Sequence, residues 1–246
     1  MPVKVDIIIL SYAKDNYLKS LTQQTVDTLL ASENPDEIKF DVLVIESNKT
    51  LQPYQFPNTT TIYPSERFGF NKYLNIGINY TNNPYLCLCN NDLIFHKGWA
   101  SEILKAMSAD SELLSATPYC PTFHSNTTYK KNSGNFDAYF GVMVGWCIFV
   151  KRDIFDKIGP LDEAFTFWYA DNDYCQTLIK HHIKSALITS SFVTHLGSES
   201  LKNIDSKEQQ KLTQLPRFYY SYKWHRWSIL RYYFEVLKFK ITLLLR

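Results

Sequence analysis

Apolar runs and amphipathic stretches alternate along the first half of the chain. Residues 3–10 carry Val3, Val5, Ile7, Ile8, Ile9 and Leu10, a nearly continuous and β-branched pattern that predicts a strand buried on both faces. Residues 17–30 repeat apolar positions at helical spacing, and 40–45 predict a second strand. A short third strand is predicted at 60–63, a helix at 71–79, a fourth strand at 85–89 and a helix at about 99–107. Strands alternating with helices predict an α/β fold with a mostly parallel central sheet flanked by helices. In such sheets ligands bind beyond the carboxyl ends of the strands, so candidate chemistry is sought there.

The second half is less regular. Residues 119–138 are polar and contain Pro121 and Gly134, the pattern of a long loop over the site. Residues 139–150 form a strand-like apolar run, 152–157 a short helix, 173–181 a helical stretch and 186–193 a last strand. Residues 202–214 predict a polar connector. Beyond it Trp227, Leu230, Phe234, Leu237, Ile241 and Leu244 recur at helical spacing, with Arg231, Lys238 and Lys240 between them. The expected organisation is one α/β unit over 1–200 and a connector with a basic, aromatic helix over 201–246.

The 246 residues suffice for one large α/β domain. A hydrophobic share of 45% against 20% charged residues excludes a globally disordered chain. Aromatics reach 15%, which fits either stacking surfaces or an aromatic core. The five cysteines, at 87, 89, 120, 147 and 175, include no CxxC pair, so neither a zinc site nor a disulfide framework is indicated. Free thiols are expected instead, with Cys87 and Cys89 as small buried hydrophobes and the reducing cytoplasm as compartment. No signal-peptide pattern and no run of about 20 apolar residues is seen. The net charge of +2 is uneven: from 216 to 246 seven Lys or Arg face the single acid Glu235, so that stretch carries +6 and the rest −4. The tail reads either as a helix packed on the domain or as a basic amphipathic helix in peripheral contact with an anionic membrane. Nucleic acid is not an expected partner, because no binding module accompanies the charge.

Polar residues gather at the predicted strand ends: Ser11 and Tyr12, then Glu46, Ser47 and Asn48, then Asn90, Asn91 and Asp92. A nucleotide needs such a rim, with a wall for the base, partners for its edge and ribose, and a metal against the diphosphate. An Asp just beyond a buried strand suits a hard cation, although Asn90-Asn91-Asp92 taken alone is equally a turn. Residues 161–175 are dense in acids and aromatics. Asp171 lies among large rings, where partial desolvation suits a base. Asp173 reads as a helix cap, and Trp168 and Tyr169 as a sugar-stacking platform or as core. His195 follows the last predicted strand and is of a type that binds Mn²⁺-like ions.

In this order the motifs resemble the family 2 glycosyltransferases of GT-A fold, particularly the rhamnosyltransferase-like branch. The resemblance rests on 7–12, on 43–48, on 66–71 running into 75–78, on 88–92, and on Gly145-Trp146-Cys147 followed by 171–175 and His195, and it covers about 3–200. It implies that Ser11, Tyr12 and Glu46 line the nucleoside pocket and that Gly69, Phe70 and Asn71 approach the base or ribose. It further implies that Asn90-Asn91-Asp92 stands for the family's DxD motif, with Asn90 near the ribose, Asn91 on the donor side, and Asp92 and His195 holding Mn²⁺ or Mg²⁺. Asp171 corresponds to the catalytic base, and Trp168, Tyr169 and Asp173 fall on the acceptor side. Two positions depart from the pattern: Ala170 stands where a Glu is usual, and Asn90 where a carboxylate is usual.

The activity so implied is inverting transfer of a sugar from a UDP- or dTDP-linked donor to a hydroxyl of a glycan or lipid-linked acceptor. A sugar nucleotidyltransferase is the second enzyme reading, disfavoured because Ser11-Tyr12-Ala13-Lys14-Asp15 lacks the expected glycine-rich loop. A nucleotide-sugar-binding protein with a decayed site is the non-enzymatic alternative, and Ala170 and Asn90 are its supporting features.

Overall fold

The computed structural model describes residues 1–124, 144–197 and 205–244. Its strands are β1 (Val3–Ser11), β2 (Ile38–Glu46), β3 (Thr60–Ile62), β4 (Tyr85–Asn90), β5 (Leu93–Phe95), β6 (Leu113–Tyr119), β7 (Cys147–Lys151) and β8 (Lys184–His195). They form one sheet in the order β3-β2-β1-β4-β7-β6-β8-β5. β3, β2, β1 and β4 run parallel; β7 is antiparallel to both β4 and β6, β6 is parallel to β8, and β5 returns antiparallel on β8.

The alternation within β1 explains the two-layer cover. Ile7 and Ile9 face a core closed by α1 (Asn16–Leu30) and α3 (Trp99–Ala109), through Val26, Leu29, Trp99 and Ile103. Ile8 and Leu10 face the opposite core, closed by α2 (Phe70–Tyr80) and α6 (Ala170–Lys180), through Leu74, Tyr174 and Leu178. Gly77 sets the closeness of α2, since a Cβ there would stand 2.7 Å from two methyl groups of Ile8. Asp15 caps α1 by accepting from the Leu18 amide at 2.8 Å. Asp6, a buried acid in an apolar strand, is paired by Arg152 at 2.7 Å.

Several expectations change. β6 and β5 were not expected as strands; β6 contains the buried Ser115 and Thr117, whose polarity disguises its burial. The last strand is longer than 186–193 and ends on His195 itself. Of the strand expected at 139–150, residues 144–150 are described, and the strand there, β7, starts only at Cys147; 125–138 of the expected loop lie outside the described residues, while α4 (Pro121–His124) opens that stretch. α6 starts at Ala170 rather than at Asp173, with Tyr169 as its cap residue in left-handed conformation, so Asp173 is not the cap. Cys87 and Cys89 are buried on one face, as expected, beside Cys147.

The predicted connector is helical from Ser206. α7 (Ser206–Trp224) packs Tyr220 against Phe165 and Ala170, and α8 (Ile229–Leu244) returns along it. Tyr232 stacks on Tyr222 at 5.4 Å, and Phe239 meets Phe218 edge-on at 5.9 Å. Among the described residues no helix is long and apolar enough to cross a membrane.

Candidate active site

The parallel half of the sheet brings the ends of β1 and β2 into register, with Ser11 opposite Glu46. Glu46 is fully buried, and its carboxylate accepts from Ser11 Oγ at 2.7 Å, from the Asn48 amide at 2.6 Å and from the Ala13 amide at 3.2 Å. Asn48 Nδ2 in turn donates to the Ala13 carbonyl at 2.8 Å. These bonds hold the loop after β1 in one shape and leave the half-exposed Tyr12 ring at the rim. The Glu46 oxygens have protein donors, so what the carboxylate does in the fold is organise this loop.

Gly69 precedes α2 in extended conformation, and the next two residues tie α2 to the acidic-aromatic segment. The Phe70 amide donates to the Thr166 carbonyl at 2.8 Å, and Asn71 Nδ2 to the Asp162 carbonyl at 2.9 Å. Asn71 is buried, so its amide ties α2 to that segment.

The end of β4 differs. Asn91 is anchored to α1: its Nδ2 donates to Thr22 Oγ1 at 2.9 Å, while Thr25 Oγ1 donates to its carbonyl at 2.8 Å. The β5–β8 pairing sets Leu93 opposite His195, and the Leu196 amide donates to the Asp92 carbonyl at 3.0 Å. This register brings Asp92 Oδ1 to 3.2 Å from His195 Nε2. The two atoms are close enough for an ion pair, yet they are not oriented as donor and acceptor. Among the described residues only four buried side-chain polar atoms have no hydrogen-bond partner, and three are Asp92 Oδ1, His195 Nε2 and Trp146 Nε1. Buried polar atoms left unpaired cost roughly 1–3 kcal/mol each, so such a group of them calls for a ligand. A carboxylate oxygen and an imidazole nitrogen 3.2 Å apart are of the types that could hold a divalent cation such as Mn²⁺ or Mg²⁺, with Asp92 as the hard ligand.

Gly145 and Trp146 join this corner to Asp171. The Asn90 amide donates to the Trp146 carbonyl at 2.9 Å, and the Trp146 ring lies parallel to that of His195 at 5.4 Å and 13°. A Cβ on Gly145 would stand 3.0 Å from Asp171 Cβ, so the absence of a side chain makes room for Asp171. Burial pushes the Asp171 carboxyl above the ordinary aspartate range, while the amides of Asn172 and Gly145 pull it back only in part. A carboxylate so placed is a stronger base than a solvated one. Neither Gly145 nor Trp146 was singled out as functional from the sequence. Their signal was a Gly-Trp pair directly before an apolar strand, and only strand order shows what they touch.

Two expected acceptor residues have other partners. Asp173, two positions from Asp171, is buried and faces α7, where Lys223 Nζ and Trp224 Nε1 each lie 2.7 Å from its Oδ1. Burial raises its pKa, with Lys223 and Trp224 opposing. Its carboxylate takes part in the docking of α7. Tyr169 leans on Tyr220 of α7 at 5.3 Å, so its ring is partly core, whereas Trp168 is exposed beside Phe167. Ala170, standing where a Glu was expected, packs with Phe165 and Tyr220; a carboxylate there would sit among aromatic rings.

The family model described as "Glycosyl transferase family 2" matches residues 6–178, which include Asp92, the Gly145–Trp146 hub and Asp171. The chain belongs to glycosyl transferase family 2. Sequence comparison with curated proteins gives no match. Solved structures share the GT-A fold. A mannosyltransferase from Pyrobaculum calidifontis, in complex with GDP-Man and Mn²⁺, aligns with a TM-score of 0.64 at 14% identity, over 93% of this chain and 66% of its own. GalNAc-T7 with UDP, GalNAc and Mn²⁺ aligns at 0.61 and 13% identity, over 79% and 44%. TarS 1–349 of S. aureus aligns at 0.59 and 11% identity, over 85% and 69%. The chain therefore spans less than two thirds of GalNAc-T7 and of the mannosyltransferase.

Proposed function

We propose that this family 2 chain transfers a sugar from a nucleoside diphosphate, UDP- or dTDP-linked, to a hydroxyl of a glycan or lipid-linked acceptor, with inversion at the anomeric carbon. The observation that carries the reading is the facing pair of buried, unpartnered atoms, Asp92 Oδ1 and His195 Nε2, beside a segment that also touches Asp171. The solved structures of this fold that hold a nucleotide or a nucleotide sugar with Mn²⁺ support it. So do the ordered motifs at 7–12, 43–48, 66–78 and 88–92, on which the resemblance to the rhamnosyltransferase-like branch rests.

Asp92 and His195 would hold a divalent cation, whose chemistry is to offset the charge of a leaving diphosphate. Tyr12, on the loop shaped by Glu46, and the segment 69–71 form the donor walls, and Trp168 offers an exposed ring to the acceptor. Asp171 takes the proton of the acceptor hydroxyl. The acceptor oxygen bonds to the anomeric carbon as the bond from that carbon to the diphosphate oxygen breaks, and the nucleoside diphosphate departs. Asp171→Asn keeps the shape but removes the base, so transfer should fall roughly 10²–10⁴-fold. Donor binding, read as a thermal shift with nucleoside diphosphate and Mn²⁺, should persist. Transfer at the normal rate by this variant would remove Asp171 from the reaction.

A further inference from the structure

Among the described residues, the outer face of α8 has no partner. No residue of this helix is buried, and Leu230, Phe234, Leu237, Ile241 and Leu244 are all exposed, Leu230 to 78% and Leu244 to 84%. These positions recur at three- and four-residue steps and therefore form one stripe. Tyr232 and Phe239 lie on the opposite side, where they meet Tyr222 and Phe218 of α7. Bases border the stripe: at about 100° per residue, Arg231 and Lys238 fall on one edge and Lys240 on the other. Only one acid, Glu235, lies in the helix.

We propose that α8 lies flat on an anionic phospholipid surface, with its leucine and phenylalanine stripe among the acyl chains and the flanking bases at the headgroups. Length supports lying on the membrane rather than crossing it, since the helix has 16 residues where a span needs about 20. Charge selects the occupant. A second copy of the chain would bring the same bases against one another, whereas anionic lipid complements them on both edges. The apolar stripe supplies the depth and the bases the preference for negative lipid.

The contact would also orient the catalytic cleft. Lys223, near the end of α7, binds Asp162 at 2.8 Å and Asp173 at 2.7 Å, and Trp224 binds Asp173. α7 is thereby clamped to the segment that carries Asp171, so a membrane under α8 holds that segment at a set angle to the bilayer. The inference goes beyond the donor chemistry and does not need it.

The test is co-sedimentation of the full chain with vesicles of phosphatidylcholine alone and of phosphatidylcholine mixed with phosphatidylglycerol. Binding is expected to the mixed vesicles, and to weaken as salt is raised. The double variant Phe234→Glu with Leu237→Glu should lower the partition at least tenfold, and Arg231→Glu with Lys238→Glu should lower it roughly tenfold or more. Both pairs are exposed, so melting temperatures should match the parent chain. Equal binding to neutral and anionic vesicles, or full binding by the first variant, overturns the proposal. So does a dimer that the first variant abolishes in a chain that ignores vesicles. Donor hydrolysis measured without lipid reports on the transferase reading separately, so failure of one leaves the other standing.

Discussion

Glu46 and Asp92 are both buried carboxylates at the carboxyl end of the sheet, and their surroundings are opposite. Glu46 receives donors from Ser11, Ala13 and Asn48, all from the chain itself. Asp92 Oδ1 receives none and faces another unpartnered atom, His195 Nε2, at 3.2 Å. The first arrangement fixes a loop, and the second leaves a carboxylate oxygen facing His195 with no hydrogen-bond donor. Burial alone does not separate a scaffold carboxylate from a ligand; the hydrogen-bond ledger around it does.

Variants should separate the two, starting with the largest effect. Asp92→Ala should reduce transfer roughly 10³-fold, as loss of a principal metal ligand removes several kcal/mol of stabilisation. It should also erase the melting shift produced by Mn²⁺, which for saturation at about 100 times Kd is worth about 2.7 kcal/mol. An unchanged Mn²⁺ shift in this variant would break the comparison. Glu46→Ala should act mainly on folding, by about 3 kcal/mol for three orphaned donors, or roughly 6–12 °C in melting temperature. If it instead lowers transfer without lowering the melting point, Glu46 is a direct ligand contact.

Smaller effects sharpen the picture around Asp171. Gly145→Ala brings a methyl to 3.0 Å from Asp171 Cβ, a push of a few tenths of an ångström that should cost roughly tenfold in kcat. Donor affinity should change little, and a normal kcat would show that Asp171 needs no such room. The smallest effect is the acid limb of the rate profile. Asp171 must be ionised to act, and burial raises its pKa, so activity should fall on acidification at a higher pH than an ordinary aspartate gives. The stability sign is opposite. A folded pKa above the unfolded one stabilises the fold below the unfolded pKa, and that contribution is lost as pH rises through the folded value. Asp171→Asn should therefore melt no lower than the parent chain at neutral pH.

What could be read in the sequence was local. Val5 and Ile7 to Ile9 are buried by the strand that contains them, and the polar ends of β1, β2 and β4 follow from that periodicity. Asp92 stood out because it follows a buried run, and Asp171 because it lies among rings. Resemblance added His195 as their companion. Ser115 and Thr117 hid β6, because their buried hydroxyls find partners only in other elements, Tyr174 and the Cys147 carbonyl. Residues 206–214 looked like a connector, because α7 gains its stability from Phe165 and the acids it clamps more than from its own pattern.

The sequence by itself determined the buried strands, the polar rim beyond them and the amphipathic tail, since each depends on neighbours a few residues away. Only the tertiary structure decided that Leu93 pairs with His195, that Trp146 stacks on that histidine, and that Asp173 faces α7 while Asp171 faces Gly145. The reason is register. Which side chains meet across β4, β5, β7 and β8 depends on strands far apart in the chain settling against one another, and no local periodicity carries that alignment.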